Sequence, residues 1–175
     1  MQRRLILFGI LLIWMSYNEA IIFKFTNAVC ESYNKSWVVI NNCRLSAINR
    51  NKTVLNINIT FLHPCNDIFV AVQLFKRANG YKPWLFKATV DACQFTKKSY
   101  NPTIILIYSL FKDFSNINHT CPYMGDQIIQ GFYLRPEILR LPYPTGEYLL
   151  EMHWILDNKT TFITNEYFQF TENLL

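Results

Sequence analysis

Apolar and polar residues alternate along much of the chain with a period of two. The clearest run covers residues 54–62, where apolar side chains occupy every second position and asparagine or threonine the positions between them. Because successive side chains of a β-strand point to opposite faces, this pattern predicts a half-buried strand. The same period returns at residues 68–74, 84–90 and 148–156.

Turn-forming residues separate these runs and predict how they connect. Asn79-Gly80 lies between the second and third runs, and this dipeptide favours a hairpin because both residues tolerate positive φ. Residues 156–159 similarly lead from the last run into a final strand at residues 162–170. Two earlier stretches, residues 23–33 and 37–47, complete about seven strands.

One segment departs from the alternation. Between residues 93 and 121 apolar residues recur at helical spacing, and Asn101-Pro102 fits an N-cap followed by proline at the first helical position. The aliphatic residues there also permit a strand, but we expect a short helix. The whole pattern predicts an all-β fold, an antiparallel β-sandwich of about seven strands with one short inserted helix.

The first residues have the features of an export signal. Arg3 and Arg4 precede an apolar run at residues 5–15, which is too short for a membrane-spanning helix of about twenty residues. Small or polar residues follow, as in a segment that is removed after export. We therefore expect residues 1–20 to be a signal peptide and residues 21–175 to form one domain of a secreted, extracellular protein. A short membrane anchor is the alternative.

Composition and charge narrow the expected partners. With 51% hydrophobic and 16% aromatic residues, the chain is typical of a packed domain and not of a disordered segment. Removal of Arg3, Arg4 and Glu19 with the signal peptide lowers the formal net charge from +5 to about +4. The remaining basic residues form no continuous stripe, so nucleic acid is not an expected partner.

Five cysteines follow the predicted export signal, at positions 30, 43, 65, 93 and 121. They are disulfide candidates in an oxidising compartment, whereas metal binding is disfavoured because CxxC pairs are absent and the three histidines lie far apart. Cys30 and Cys43 flank a turn at residues 34–36, and a hairpin centred there would set them nearly opposite each other. Cys93 and Cys121 flank a second excursion, which leaves Cys65 over.

The sequence offers little that resembles a catalytic site. It contains no GxSxG, HExxH or glycine-rich phosphate loop, and no obvious pair of carboxylates on one strand face. His153 has the opposite phase to Met152 and Trp154 and is expected to face solvent. We therefore expect a binding protein without a cofactor or a metal, and not an enzyme.

The apolar strand faces are then the main candidates for function. A sandwich either fills the space between sheets that lie about 10 Å apart, or keeps an apolar cavity for a ligand. Ordinary core packing would account for any single apolar residue. A cavity would be bordered by the best-alternating strands and the helix, through Ile57, Val72, Phe86, Phe111, Met152 and Trp154.

Five sequence blocks allow comparison with known families: NKTVLNI (51–57), ANGYKPWLF (78–86), DAC (91–93), NHTCPY (118–123) and LPYPTGEY (141–148). Together they resemble a large insect family of secreted proteins that carries a domain of unknown function and includes the chemosensory B, or CheB, proteins. The resemblance implies a fold similar to the ML lipid-recognition domains and the ganglioside activator protein, which are β-sandwiches with an apolar ligand cavity. The recurring cysteines of the family match Cys30, Cys43, Cys93 and Cys121.

The expected function is that of a secreted carrier or presenter of an apolar small molecule, such as a lipid, hydrocarbon or pheromone-like ligand. Apolar burial would supply most of the affinity, with one or two polar groups at the mouth of the cavity. CheB proteins are associated with gustatory detection of pheromones, so the resemblance implies a role in chemosensation. The alternative is an extracellular protein-interaction module or receptor accessory with a filled core, whose partner would be a cell-surface receptor.

N-glycosylation is the first testable expectation. The chain contains five N-x-S/T sequons, at Asn34, Asn51, Asn58, Asn118 and Asn158. We expect at least two to carry glycans, and Asn58 is informative because its strand phase points it away from the apolar face. Treatment of the secreted protein with an N-glycosidase should lower its apparent mass. An unchanged mass would contradict the expected exposure of these asparagines.

Overall fold

The computed structural model of the protein describes residues 21–139 and 143–172. The expected signal peptide lies outside these residues, and no described helix is long and apolar enough to cross a membrane. The strands in chain order are β1 (Ile22–Ser32), β2 (Val38–Asn49), β3 (Lys52–Cys65), β4 (Ile68–Ala78), β5 (Gly80–Asp91), β6 (Tyr123–Phe132), β7 (Gly146–Leu156) and β8 (Lys159–Thr171). The helices are α1 (Ala92–Lys97) and α2 (Pro102–Phe111), and a 3-10 turn at Lys112–Phe114 follows α2.

The strands form two antiparallel sheets of different width. The larger sheet has the order β1-β8-β7-β4-β5, and the smaller has the order β2-β3-β6. The alternating apolar residues face inward: Leu55, Ile57, Ile59 and Phe61 of β3 are 1%, 5%, 6% and 5% exposed. The predicted all-β sandwich is therefore confirmed.

Two of the three predicted hairpins are present, between β4 and β5 and between β7 and β8. At the β4–β5 turn, Ala78 pairs with Gly80, whose φ of 82° lies in the left-handed region. At the β7–β8 turn, Asp157 and Asn158 have φ values of 49° and 61°. Positive φ at both central residues matches the twist of the flanking strands, and short polar side chains such as Asp and Asn tolerate it.

The predicted helix is α2, and it begins where the sequence indicates. The Asn101 side-chain oxygen accepts hydrogen bonds from the backbone N–H groups of Thr103 (3.1 Å) and Ile104 (3.2 Å), and Pro102 occupies the first helical turn. Helix α1 is additional to the prediction, because six residues are too few to show a helical period.

Strand β6 is an eighth strand that the alternation does not predict. Gly125 and Gly131 have φ values of 73° and 66°, and the register of β6 against β3 shifts twice. Each irregularity changes which face the following side chains occupy, so the sequence of β6 loses the period of two.

The predicted hairpin between β1 and β2 is wrong. β1 pairs with β8 and β2 pairs with β3, so the turn between them is a corner at which the chain passes from one sheet to the other. The backbone N–H groups of Trp37 and Val38 both donate to the Asn34 carbonyl, at 3.0 and 2.9 Å. A local turn signal predicts a reversal of the chain, but not which sheet the next strand joins.

Both predicted disulfides are present despite this correction. Cys30–Cys43 links the edge strands β1 and β2 of opposite sheets. Cys93–Cys121 links α1, which directly follows the other edge strand β5, to the residues that precede β6. The disulfides therefore connect the two sheets at both sides of the sandwich.

The fifth cysteine, Cys65, is free and only 3% exposed. Burial, together with the nearby Asp157 carboxylate, raises the pKa of its thiol to about 11. Because the thiolate is the reactive form, this cysteine is a poor nucleophile at neutral pH and acts as a small apolar residue of the core.

The five sequons lie at the surface to different degrees. Asn58 is half-buried on the outer face of β3, where its side-chain oxygen accepts a hydrogen bond from Asn41 at 3.2 Å. The exposed sequon asparagines are Asn34, Asn51, Asn118 and Asn158. Glycan attachment at any of them stays a prediction.

Loss of either disulfide should destabilise the fold by a calculable amount. Replacing Cys30 and Cys43 together by alanine should lower the free energy of unfolding by about 3 kcal/mol, because the bridge restrains the unfolded chain across a separation of 13 residues. The bridge between Cys93 and Cys121 spans 28 residues and should contribute slightly more. Denaturant unfolding of the oxidised protein measures both losses. A peptide map that links Cys43 to Cys93 would contradict the pairing.

Candidate functional site

An apolar cavity of about 850 Å³ lies between the larger sheet and α2. Inward side chains of β1, β4, β5, β7 and β8 border it on one side, and α2 with residues 132–139 borders it on the other. We call α2 and residues 132–139 the roof. Small-molecule sites in proteins usually occupy about 300 to 1,000 Å³, so the cavity has room for a ligand of that class.

The cavity reaches the surface beside β5. Leu85 and Ile105 line the cavity and are nevertheless 59% and 41% exposed. Glu137 of the roof also lines the cavity and is exposed. We refer to these three residues as the mouth, through which a ligand would enter.

A bulge in β5 shapes the mouth. The pairing of β4 with β5 shifts between Gln73 and Phe75, and Leu85 within the bulge has a φ of 62°, which is costly for a branched side chain. The Gln73 side-chain amide donates to the backbone carbonyls of Leu74 (3.1 Å) and Phe86 (2.9 Å). These bonds pair backbone carbonyl groups at the point where the hydrogen bonding between β4 and β5 is disrupted. The Gln73 side chain therefore stabilises the bulge.

Arg135 attaches the two parts of the roof to each other. Its Nη2 donates to the backbone carbonyls of Ser109 (3.1 Å) and Leu110 (2.9 Å) near the end of α2. Its Nη1 lies 3.1 Å from the Asp113 carboxylate. A cation at a helix C-terminus satisfies carbonyls that have no partner within the helix, and here it also holds residues 132–139 against α2.

A second cavity of about 140 Å³ lies deeper, between the two sheets. Its lining includes inward residues of β3 and β6, as well as residues of α1 and α2. Both cavities share four lining residues, and the two spaces are therefore neighbours along one apolar interior. The shared residues are Ile107, Phe111, Met152 and Glu166.

The structure distributes the six predicted lining residues between the two cavities. Val72 is 3% exposed and lines neither of them. Trp154 stacks on Phe162 with ring centroids 5.2 Å apart, so it contributes to packing as well as to the smaller cavity. The larger cavity is lined by Phe86, Phe111 and Met152, and the smaller by Ile57, Phe111, Met152 and Trp154.

Glu166 is an acid in the apolar interior. It lies on β8 opposite Ala28 of β1 and Leu150 of β7, and it is only 5% exposed. Its Oε2 is buried without a hydrogen-bond partner among the described residues. Burial raises the pKa of Glu166 to about 8, an effect that the Thr164 hydroxyl only partly offsets. The carboxyl group is therefore mostly protonated at neutral pH.

The remaining polar lining carries hydroxyl and amide groups. The Thr164 hydroxyl accepts a hydrogen bond from Trp154 Nε1 at 3.2 Å. Gln127 is 7% exposed, and its Oε1 lacks a partner within the described part of the chain. The phenols that line the cavities are Tyr108, Tyr123 and Tyr143, and burial raises the pKa of each.

No positively charged side chain of the described residues lines either cavity. Among residues 21–139 and 143–172, the lining of the two cavities includes no lysine, arginine or histidine. The carboxyl groups that the described residues contribute to the lining are those of Glu137 at the mouth and Glu166 inside. The cavities therefore offer apolar surface and hydrogen-bonding groups, without a cation that would neutralise an anionic ligand.

The sequence contains a signal for Glu166, which is not among the six predicted lining residues. In the final strand, Thr164 and Glu166 have the same phase as the buried Phe162, Phe168 and Phe170. A charged residue in the apolar phase of a strand is expected to face inward, where it requires either a partner or a shifted pKa. This phase identifies Glu166 from the sequence as an acid of the interior.

The matched family model covers the middle of the chain. Residues 70–150, slightly less than half of the chain, match a family described as "Protein of unknown function (DUF1091)". This segment extends from β4 to β7 and includes the roof, whereas Glu166 lies beyond it. No curated protein matches the sequence.

Protonation of Glu166 should make the stability of the fold depend on pH. The carboxyl group has a pKa of about 8 in the folded protein and about 4.5 without the surrounding fold. Between pH 4.5 and pH 8 the folded state therefore holds one more proton than the unfolded state. The free energy of unfolding that depends on this proton is fully present below pH 4.5. The free energy of unfolding should fall as the pH rises from 4.5 to 8, by up to about 1.4 kcal/mol per pH unit.

Denaturant unfolding of two matched variants across this pH range isolates the contribution of Glu166. Glu166→Gln removes the titrating group and should remove its part of the slope. Glu31→Gln makes the same chemical change at an exposed position of β1 and should leave the slope unchanged. Equal slopes for the wild-type protein and Glu166→Gln would show that Glu166 does not titrate in this range.

Proposed function

We propose that the protein binds an apolar small molecule in the larger cavity and acts as its secreted carrier or presenter. The observation that carries this proposal is the 850 Å³ apolar space with a mouth at Leu85, Ile105 and Glu137. Burial of apolar surface contributes roughly 25 cal/mol per Å², so contact with the lining would supply most of the affinity. The protein performs no chemistry on its ligand under this proposal.

The packing of the protein supports a ligand more than a filled core. An apolar space leaves its lining without partner atoms on one side, which costs dispersion energy in proportion to its size. A ligand that occupies the space restores these contacts. The smaller cavity, of about 140 Å³, is close in size to an engineered apolar cavity of roughly 150 Å³ that binds small apolar molecules.

The disulfides support the extracellular setting. The disulfides Cys30–Cys43 and Cys93–Cys121 are of the kind that persists in oxidising compartments. The apolar cavity beneath a roof also agrees with the resemblance to CheB proteins and ML lipid-recognition domains. The ligand class that follows is a lipid, hydrocarbon or pheromone-like molecule, and chemosensation is the proposed biological setting.

Filling the cavity should prevent ligand binding. Leu106 lies on α2, is half-buried and lines the larger cavity. Leu106→Trp places a larger ring in that space and should weaken the binding of an uncharged naphthylamine fluorophore by about tenfold or more, since forced overlap in packed sites commonly costs 1 to 3 kcal/mol. Fluorescence titration measures the affinity.

Leu62→Trp is the matched control for this experiment. Leu62 lies on β3 outside both cavities and is 42% exposed, so the same substitution there should leave the affinity unchanged. If the wild-type protein does not bind the fluorophore, or if both variants bind it equally well, the cavity is not a ligand site. The extracellular protein-interaction module would then be the better account.

A further inference from the structure

Glu166 is a buried acid whose hydrogen bonding within the protein is incomplete. It is 5% exposed, and its Oε2 makes no hydrogen bond to the described residues. It lines both cavities, and the residues around it are mainly apolar. A buried polar atom without a partner destabilises a protein, and at this place in a cavity wall a ligand atom can complete its hydrogen bonding.

We propose that the cavity selects an uncharged long-chain molecule with a terminal hydroxyl group, and that Glu166 binds this hydroxyl. The inference rests on the proposed function, because it concerns the ligand of the same cavity. The hydroxyl group enters first and reaches Glu166 at the buried end. The apolar chain extends from there towards Leu85 and Ile105 at the mouth.

The chemistry of a protonated carboxyl group favours a hydroxyl ligand. A carboxylic acid donates one hydrogen bond through its O–H and accepts others at its carbonyl oxygen. A ligand hydroxyl both accepts and donates, so it can satisfy both functions of Glu166. A ligand ketone or ester only accepts, and a hydrocarbon leaves the acid without a partner.

Charged head groups fit the cavity less well. A fatty-acid carboxylate would enter a space whose described lining has no cation and whose mouth carries Glu137. An alkylammonium would require Glu166 to ionise, and burial of two charges carries a desolvation cost that their attraction often fails to recover. The site therefore discriminates by the head group of the ligand as well as by its apolar chain.

Three ligands of equal chain length test this assignment: dodecanol, dodecane and dodecanoate. Each displaces the bound naphthylamine fluorophore from the wild-type protein, Glu166→Leu and Glu166→Gln at pH 7. The measured quantity is the preference for dodecanol over dodecane, taken as the ratio of their dissociation constants. Comparing this ratio between variants cancels the different solubilities of the two ligands.

The preference for dodecanol should fall at least tenfold in Glu166→Leu, because this variant retains the apolar wall and loses the hydrogen bond. Glu166→Gln should keep most of the preference, since an amide also donates and accepts. Glu31→Gln, at an exposed position, should match the wild-type protein. Dodecanoate should bind more weakly than dodecanol to the wild-type protein.

The possible failures are distinguishable. Equal preference for dodecanol in the wild-type protein and Glu166→Leu, with both ligands still bound, would overturn the role of Glu166 but leave the carrier intact. Tighter binding of dodecanoate than of dodecanol would overturn the uncharged ligand class. No displacement by any of the three ligands would overturn this inference and count against the carrier as well. Denaturant unfolding of Glu166→Leu confirms that each comparison concerns a folded protein.

Discussion

The unequal width of the two sheets is the constraint on which the rest of the structure depends. The larger sheet has five strands and the smaller has three, which leaves the width of two strands, about 10 Å, without a facing strand. A helix with its side chains is about 10 Å in diameter, so one helix can cover this width. The disulfide Cys30–Cys43 joins the sheets at the β1 and β2 edges, and α2 with residues 132–139 faces the larger sheet across the cavity. The cavity lies where α2 and residues 132–139 face the inward side chains of the larger sheet.

Under the proposed function, Glu166 links the stability of the fold to the choice of ligand. The same burial that raises its pKa to about 8 makes it a neutral acid that both donates and accepts a hydrogen bond. A leucine at this position would suit the apolar interior better and would offer a ligand nothing polar. To distinguish an alcohol from a hydrocarbon, a site requires a buried polar group that only the alcohol can bind. Such a group lowers the stability of the protein while no ligand is bound.

The sequence predicts most of the fold because strand phase and turn chemistry are local properties. Strict alternation identifies β3 and β7, and Asn101-Pro102 marks the start of α2. Strand β6 is not predicted, because Gly125 and Gly131 interrupt its period of two. The predicted β1–β2 hairpin is wrong, because pairing with residues far away in the sequence decides which sheet a strand joins. The cavity is harder still to predict, since its volume depends on how far α2 lies from the sheet. The inward position of Glu166 can be predicted from its place among the apolar residues of β8. The lack of a hydrogen-bond partner for its Oε2 among the described residues cannot, because it depends on which side chains pack around it.

Native mass spectrometry of the protein purified from a eukaryotic secretory host tests the central claim that the interior holds a ligand. We expect a folded species heavier than the glycosylated, disulfide-bonded chain by the mass of one small molecule, and this added mass should be lost on denaturation. Organic extraction of the same sample should recover an apolar compound with a hydroxyl group. A folded protein with the same mass before and after denaturation, which also fails to take up dodecanol when it is added, would contradict the account.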